Sequence, residues 1–595
     1  MRSKTRAFVC LLALLASLAL PAALVSQAAP QEPTAQLPAV HTNRIEFQLR
    51  AGSGGEWLDG DFVSRTGVDL RAVTERCRAA GAFVQPLVAS VSWDELDRLH
   101  RHACAVMPAR SRPGHLGLWY RAICADAAAA DALLEQLQQE PLVAHAYREP
   151  IYYPASYRTP VALPPQGNDP PPTTPSFVAQ QLAHSASPVG HGVRMANSVL
   201  GARGQDVGFY MVENTWILGH EDVSKLVSSN FLGVIPAPVL STANHGLSGA
   251  SISFADRNAF GITGISDLVD ARFLSIDVNN GLADSLALVA VEGDPGDVTL
   301  LVLMVLVPGL GPGTFLPIEF YQSAYDAVAT VTAQDIHLVA PSGNGNRSLD
   351  DPALLGRFSR SFRDSGAVIV SASAGGALQR AVFSNWGGRV DAHSWGDGVI
   401  ASGYGDLFFP GQDPLQAYTQ SATGTSSATP HIASVIACIQ GACKRQLGTT
   451  LSNQEILDLL HTYGPDTPDV IGRRPDLVEI FDVLGIRDGL SLAEPDVELG
   501  GSIDVTIDGP AGSIAGLFAA FAEGDAPVGF NRNLHLDPNG TISIDAYVLG
   551  TPGPQYQLAV PVDASLHGAE LFFQSARLLA NQPVELTNSV HVTIL

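Results

Sequence analysis

The chain has 595 residues, 46% of them hydrophobic and 15% charged, with a mean hydropathy of +0.15; this excludes a mainly disordered protein and gives length for about three or four domains with sizeable cores. The formal net charge is −24, from 34 Lys+Arg against 58 Asp+Glu with only three lysines, which argues against nucleic acid and anionic lipid as partners. In chain order, Arg2, Lys4 and Arg6 precede an apolar run from Phe8 to Leu20 and the small-x-small site Ser26-Gln27-Ala28. This predicts a secretory signal peptide over 1–28. An uncleaved anchor is the alternative, because apolar residues continue to Val25.

No later run is long enough to span a bilayer, so no membrane contact is expected after signal cleavage. The expected location is secreted: extracellular, periplasmic or cell surface, all oxidising compartments. Beyond Cys10 stand Cys77, Cys104, Cys124, Cys438 and Cys443, an odd number. Cys438 and Cys443 are close enough in sequence to bridge at a helix end; the other reading is buried small hydrophobes. No zinc-type spacing is present.

Residues 42–157 read as a small α+β unit. The expected elements are a strand at 44–50, a helix at 91–101, a strand at 117–124, a helix at 127–140 and a strand at 142–147. That order suits a ferredoxin-like sandwich. Residues 158–176 are Pro-rich (PPQGNDPPPTTP) and read as an extended linker. Residues 177–487 alternate nearly continuous apolar strands (207–212, 272–277, 298–307, 336–340, 367–371) with helical stretches, the pattern of a doubly wound parallel α/β sheet. Residues 496–595 alternate apolar and polar residues between Gly-Pro turns and read as a β-sandwich.

The strongest local signal is Gly424-Thr425-Ser426-Ser427-Ala428-Thr429-Pro430-His431. A serine opening a helix lies beside backbone N–H groups that favour developing negative charge. Local chemistry alone reads such a serine more often as a cap than as a nucleophile. The segment resembles the GTSxAxP serine motif of subtilisin-like serine proteases (subtilases), and the resemblance extends over about 177–487. It implies a secreted serine endopeptidase on a parallel α/β sheet.

The resemblance makes Ser426 the nucleophile and His245, in Asn244-His245-Gly246-Leu247-Ser248-Gly249, the general base, although Leu247 stands where the family has threonine. It places Asn344, in Ala340-Pro341-Ser342-Gly343-Asn344-Gly345-Asn346, in the oxyanion hole; read alone, that segment is a turn, and Asn346 is a second asparagine within it. Phe383-Ser384-Asn385-Trp386-Gly387 is similar to a family loop between asparagine and serine.

The acid departs from the pattern. Counting back from His220-Glu221-Asp222-Val223 puts Glu213 where the family has aspartate. Glu213-Asn214-Thr215-Trp216 is similar to the Glu-x-x-Trp of a divergent bacterial branch, and Glu213 is taken as the residue that orients His245. The rival reading is a surface carboxylate and a crippled dyad. Asp222 is expected to be a structural cap, and His191, His220 and His431 structural residues. The chain order Glu213, His245, Asn344, Ser426 is the subtilase order. Met304-Val305-Leu306-Val307-Pro308 stands where the family has its Ser-Leu-Gly substrate edge, and Pro308 lacks an N–H for peptide pairing.

The resemblance further implies that 42–157 is an inhibitory propeptide; a stable accessory domain is the alternative. No cofactor is expected to be required. Structural calcium is common in the family, but acidic pairs such as Asp350-Asp351 do not place a metal site. The expected partner is a protein or peptide substrate, with a cell-surface or glycan ligand left open for the C-terminal sandwich. The alternative function is a catalytically impaired subtilase acting as a surface binding or scaffold protein; an esterase using the same dyad is a third.

Overall fold

The structure is a computed structural model. It describes residues 37–154, 174–237, 240–277 and 280–487, and then 490–492, 496–507, 514–526, 534–537, 541–548, 555–578 and 585–595. The expected signal peptide and most of the Pro-rich linker lie outside the described residues.

The N-terminal unit contains β1 (Val40–Leu49), α1 (Arg71–Ala79), β2 (Phe83–Pro86), α2 (Trp93–Val106), β3 (Trp119–Ile123), α3 (Ala127–Gln138) and β4 (Val143–Pro150). The strands form an antiparallel sheet in the order β2-β3-β1-β4. Alternation along β1 separates its two faces. Ile45, Phe47 and Leu49 pack with α1 and α3, whereas Glu46 and Gln48 face the central domain and bond to Ser323 and Asp326. Sequence reading misses α1, β2 and the hairpin Gly55–Leu58/Asp61–Ser64. In α1 only Val73, Thr74 and Cys77 are buried, too few positions to show a helical period. A last short strand, β5 (Tyr152–Pro154), leaves this unit.

The central domain is the expected doubly wound parallel sheet. Its strands are β6 (Gly208–Glu213), β7 (Asp270–Ser275), β8 (Val298–Leu301), β11 (His337–Pro341), β12 (Val368–Ser373) and β13 (Ala392–Trp395). They lie in the order β13-β12-β11-β8-β6-β7, all parallel. Side chains alternate between two cores: Phe209, Met211, Leu300, Val339 and Val370 fill one, and Tyr210, Val212, Leu301, Leu338 and Ile369 the other. The first face is covered by α4 (Leu240–Phe254) and α7 (Thr425–Leu447), the second by α5 (Leu282–Glu292) and α6 (Gln322–Thr332). Covering on both faces is why these strands are apolar throughout.

The run 298–307 is expected as one strand but forms two. After Leu301 the chain leaves the parallel sheet, and β9 (Leu303–Leu306) pairs antiparallel with β10 (Phe315–Pro317) on one side and with β5 on the other. Both strands are wholly buried, so hydrophobicity alone carries no mark of the break.

The N-terminal unit and the central domain share a core in which Leu87, Leu96, Leu99 and Trp119 meet α5 and α6. Two buried carboxylates of the central domain accept donors from the N-terminal unit. Asp284 takes the N–H groups of Ala89 and Ser90 at 2.7 and 2.9 Å. Asp326 takes Trp119 Nε1 at 2.9 Å. Glu46 accepts from Ser323 Oγ at 2.6 Å; burial first, and then the nearby Glu149, raise its pKa to about 7.

At the C-terminus, Leu490–Leu492, Ser502–Ile507 and Gln555–Ala559 form one sheet, and Asp496–Val497, Glu585–Ile594, Glu570–Leu578, Ile514–Ala520 and Ile542–Val548 a second. Their inward residues make one core, a sandwich. It is tied to the central domain by Arg203, which bonds Asp267 and Glu570, and by Arg257, which bonds Asp496 at 2.5 Å.

Cys77, Cys104, Cys124, Cys438 and Cys443 are all free thiols. Cys438 and Cys443 share α7, where a five-residue step turns side chains about 140° apart, so the bridge is not made. Asp350 and Asp351 cap backbone N–H groups of Gly388 and Ala353. No helix among the described residues is long and apolar enough to cross a membrane.

Candidate active site

Glu213 is the last residue of β6, beside the point where strand order reverses between β6 and β8, where open α/β sheets place their clefts. Its carboxylate is completely buried. Oε1 accepts the N–H of Asn214 at 2.8 Å, and Oε2 meets His245 Nδ1 at 2.7 Å. A carboxylate only accepts, so Nδ1 carries the proton and Nε2 carries the lone pair of the neutral ring. Nε2 is buried with no hydrogen-bond partner among the described residues. His245 and Ser426 line the same cleft.

His245 sits on α4, and the residue after it makes a close approach. A Cβ on Gly246 would lie 2.2 Å from the Thr215 carbonyl and 2.8 Å from the Trp216 ring. Trp216 packs on Phe231 and Phe273, so the Glu213–Trp216 segment supports both the carboxylate and the backbone of the histidine. Leu247 points into the apolar core beneath α4.

Ser426 is the second residue of α7, which begins after Gly424 with no cap from its own N-terminal side chain. The cap comes from Asn344, whose Oδ1 accepts from Thr425 N at 3.0 Å and from Thr425 Oγ1 at 2.9 Å. A backbone N–H can only donate, which fixes the orientation of the amide. Pro430 follows within the helix and supplies no N–H to the Ser426 carbonyl.

The asparagine loop is held by a residue whose role sequence reading misses. Asn385 donates to Phe315 O at 2.7 Å and Ser342 O at 2.6 Å, and accepts from Gly345 N at 3.1 Å and Arg347 N at 2.9 Å. Gly343 has φ 95°, and a Cβ there would lie 2.5 Å from Phe315 O, so the loop needs glycine at that position. Asn346 is a turn residue at φ 47° whose Oδ1 accepts from Arg380. The FSNWG segment is the signal for Asn385; its four-way clamp is visible only in three dimensions.

The structure brings Glu213, His245 and Ser426 to the cleft and ties Asn344 to the residue before Ser426. Asp222 does not join them. It accepts from Ile262 N and Asn258 Nδ2, and burial pushes its carboxyl up to about 8. His191 bridges Pro475 O and Ser394 Oγ, His220 meets Ala417 O, and His431 bonds Ser427 O. Among the described residues, no group of three or more His, Cys, Asp or Glu side chains is placed to hold a metal ion.

The segment where the sequence predicts a substrate edge is paired by the chain itself. Tyr152, Tyr153 and Pro154 pair with Val305, Met304 and Leu303, an antiparallel strand along the segment where the sequence predicts a substrate edge. Pro308 lies beyond β9 and takes no part in this ladder.

Residues 313–467 match the model of the Subtilase family. The chain is 27% identical over 268 residues to a thermostable alkaline protease of Halalkalibacterium halodurans, covering 44% of this chain and 61% of that protein. It is 30% identical over 124 residues to subtilisin-like protease 4 of Arthroderma gypseum, covering 20% of this chain and 26% of that protein. In each case the matched region spans less than two thirds of the relative.

Proposed function

Since the chain belongs to the subtilisin-like serine protease family, we propose that it is an exported serine endopeptidase with a Ser426, His245, Glu213 triad. The observation that carries this reading is the 2.7 Å bond from His245 Nδ1 to Glu213, with Nε2 unpartnered in the cleft that Ser426 lines. Ser426 Oγ attacks the scissile carbonyl carbon, and its proton passes to His245 Nε2. Glu213 stabilises the resulting imidazolium. The carbonyl oxygen becomes an oxyanion facing the Asn344 amide, oriented by its bonds to Thr425, and the first turn of α7. As the peptide C–N bond breaks, Nε2 returns the proton to the departing amine. Water then enters by the same base and releases the acyl group from Ser426.

In this reading residues 42–157 act as an inhibitory propeptide. Support comes from the pairing of β5 with β9, where the family resemblance places the substrate edge, and from the core shared with α5 and α6. The C-terminal sandwich is then a targeting or stability module.

The test is labelling of the purified full chain with a fluorophosphonate, before and after limited proteolysis between residues 155 and 173, with Ser426→Ala as control. Labelling that is lost in Ser426→Ala is the expected result. Absence of labelling in both preparations overturns the enzyme reading in favour of the scaffold alternative.

A further inference from the structure

Glu213 stands at the very end of its strand, and the groups that steady it there come from the neighbouring strand. Glu213 and Ser275 are the final residues of β6 and β7 and lie side by side in the parallel register. One backbone bond follows, from Ile276 N to Glu213 O at 3.0 Å. Beyond it the two chains are joined through side chains. Ser275 Oγ donates to the Asn214 carbonyl and accepts the Asp277 N–H at 3.3 Å. Asn214 Nδ2 donates to Asp277 Oδ1 at 2.7 Å. A carboxylate only accepts, so the amide nitrogen is the atom that faces it.

Asn214 is therefore fixed at its carbonyl and at its side chain. Its N–H is the group that holds Glu213 Oε1 at 2.8 Å. Apart from His245, that N–H is the one hydrogen-bond partner of the Glu213 carboxylate among the described residues. Packing does not account for an asparagine here. Asn214 is 7% exposed, and its Oδ1 is buried without a hydrogen-bond partner among the described residues. An orphaned acceptor is destabilising, and an apolar residue would fill the site without one.

A firm hold has a use in the reaction. Glu213 must keep the His245 ring turned to Ser426 while the proton moves, and glutamate has one more rotatable bond to freeze than aspartate. A displacement of about 1 Å in such a constellation lowers the rate by roughly 10^2-fold.

We propose that Asp277 is a positioning residue for the triad: with Ser275 it fixes Asn214, whose N–H sets Glu213 and, through Glu213, the ring of His245. The proposal rests on the serine peptidase reading.

The test is the rate of fluorophosphonate labelling of Ser426 in the full chain cleaved between residues 155 and 173, measured in a double-mutant cycle. Asp277 is exposed, so its substitution leaves the core intact. Asp277→Ala is expected to slow labelling by about 10-fold or more. Asp277→Asn keeps an acceptor oxygen for Asn214 Nδ2 and should stay within about 2-fold of the unmodified protein. In a Glu213→Ala background Asp277→Ala should change the residual rate by less than about 2-fold, because the carboxylate it positions is gone.

An equal loss in both backgrounds assigns Asp277 to the fold or to probe binding and overturns the proposal. So does an unchanged rate in Asp277→Ala, or a loss in Asp277→Asn as large as in Asp277→Ala; each leaves the peptidase reading intact. If Asp277→Ala does not fold, Asn214→Ala removes the other end of the same bond and decides. A loss confined to the Glu213 background supports the proposal, and any other result overturns it. Failure of the unmodified protein to label overturns the peptidase reading, and this proposal with it.

Discussion

The imidazole of His245 and the amide of Asn344, which bonds the residue before Ser426, are held in different ways. His245 hangs on a single side chain, Glu213, whose other oxygen is fixed by one backbone N–H. Asn344 is held by two bonds from Thr425, in a loop that Asn385 clamps through three more and ties by a fourth to Phe315. The first arrangement is a chain of single links, and the second is a mesh. A chain fails when any link is removed, whereas a mesh loses function by degrees.

Removing Glu213 is the severest way to break that contrast. Glu213→Ala leaves Nδ1 buried without its acceptor, and turnover should fall by about 10^4-fold. Glu213→Asp, one methylene shorter, should lose far less. Equal loss in both, or in neither, removes Glu213 from the triad. Asn344→Ala deletes one oxyanion donor, with an expected kcat loss of about 10^2 to 10^3 and little change in KM. A rise in KM at constant kcat would show that the amide binds substrate and not the transition state.

Gly246→Ala leaves every catalytic group in place but forces the added methyl into Thr215 and Trp216. A shift of His245 by about 1 Å predicts roughly a 10^2-fold loss of activity. Wild-type activity there would mean that the single-link half has more slack than its packing implies.

Legibility in the sequence follows the range of the interactions. Strands β6, β8, β11 and β12 are readable because burial on both faces leaves continuous apolar runs. The serine and histidine segments carry local motifs. Glu213 is reached through its distance from His220 and the Glu-x-x-Trp resemblance, since no Asp-Thr-Gly marks it. The role of Asn385 depends on a partner 40 residues away, beyond any local pattern. Cys438 and Cys443 show the converse: proximity along the chain becomes opposition around a helix.

Glu46 has a thermodynamic consequence for the join between the N-terminal unit and the central domain. A free glutamate releases its proton near 4.5, whereas in the join burial and then Glu149 hold it to about 7. The raised value means that the join contributes most below about pH 4.5 and loses that contribution as pH rises through 7. The groups around this carboxyl are Glu149, Arg121 and Tyr147 on its own unit and Ser323 on α6. The join is therefore a proton reservoir whose grip is set by the medium: tight in acid, looser in alkali. The melting temperature of the uncleaved chain should fall between pH 5 and pH 8, and Glu46→Gln should flatten that fall, with the equilibrium contribution entering as roughly 1.4 kcal/mol per pH unit at most. An identical slope in the variant would assign the pH dependence to another group. Through this one carboxyl, acidity outside the molecule is coupled to how firmly the N-terminal unit is joined to the central domain.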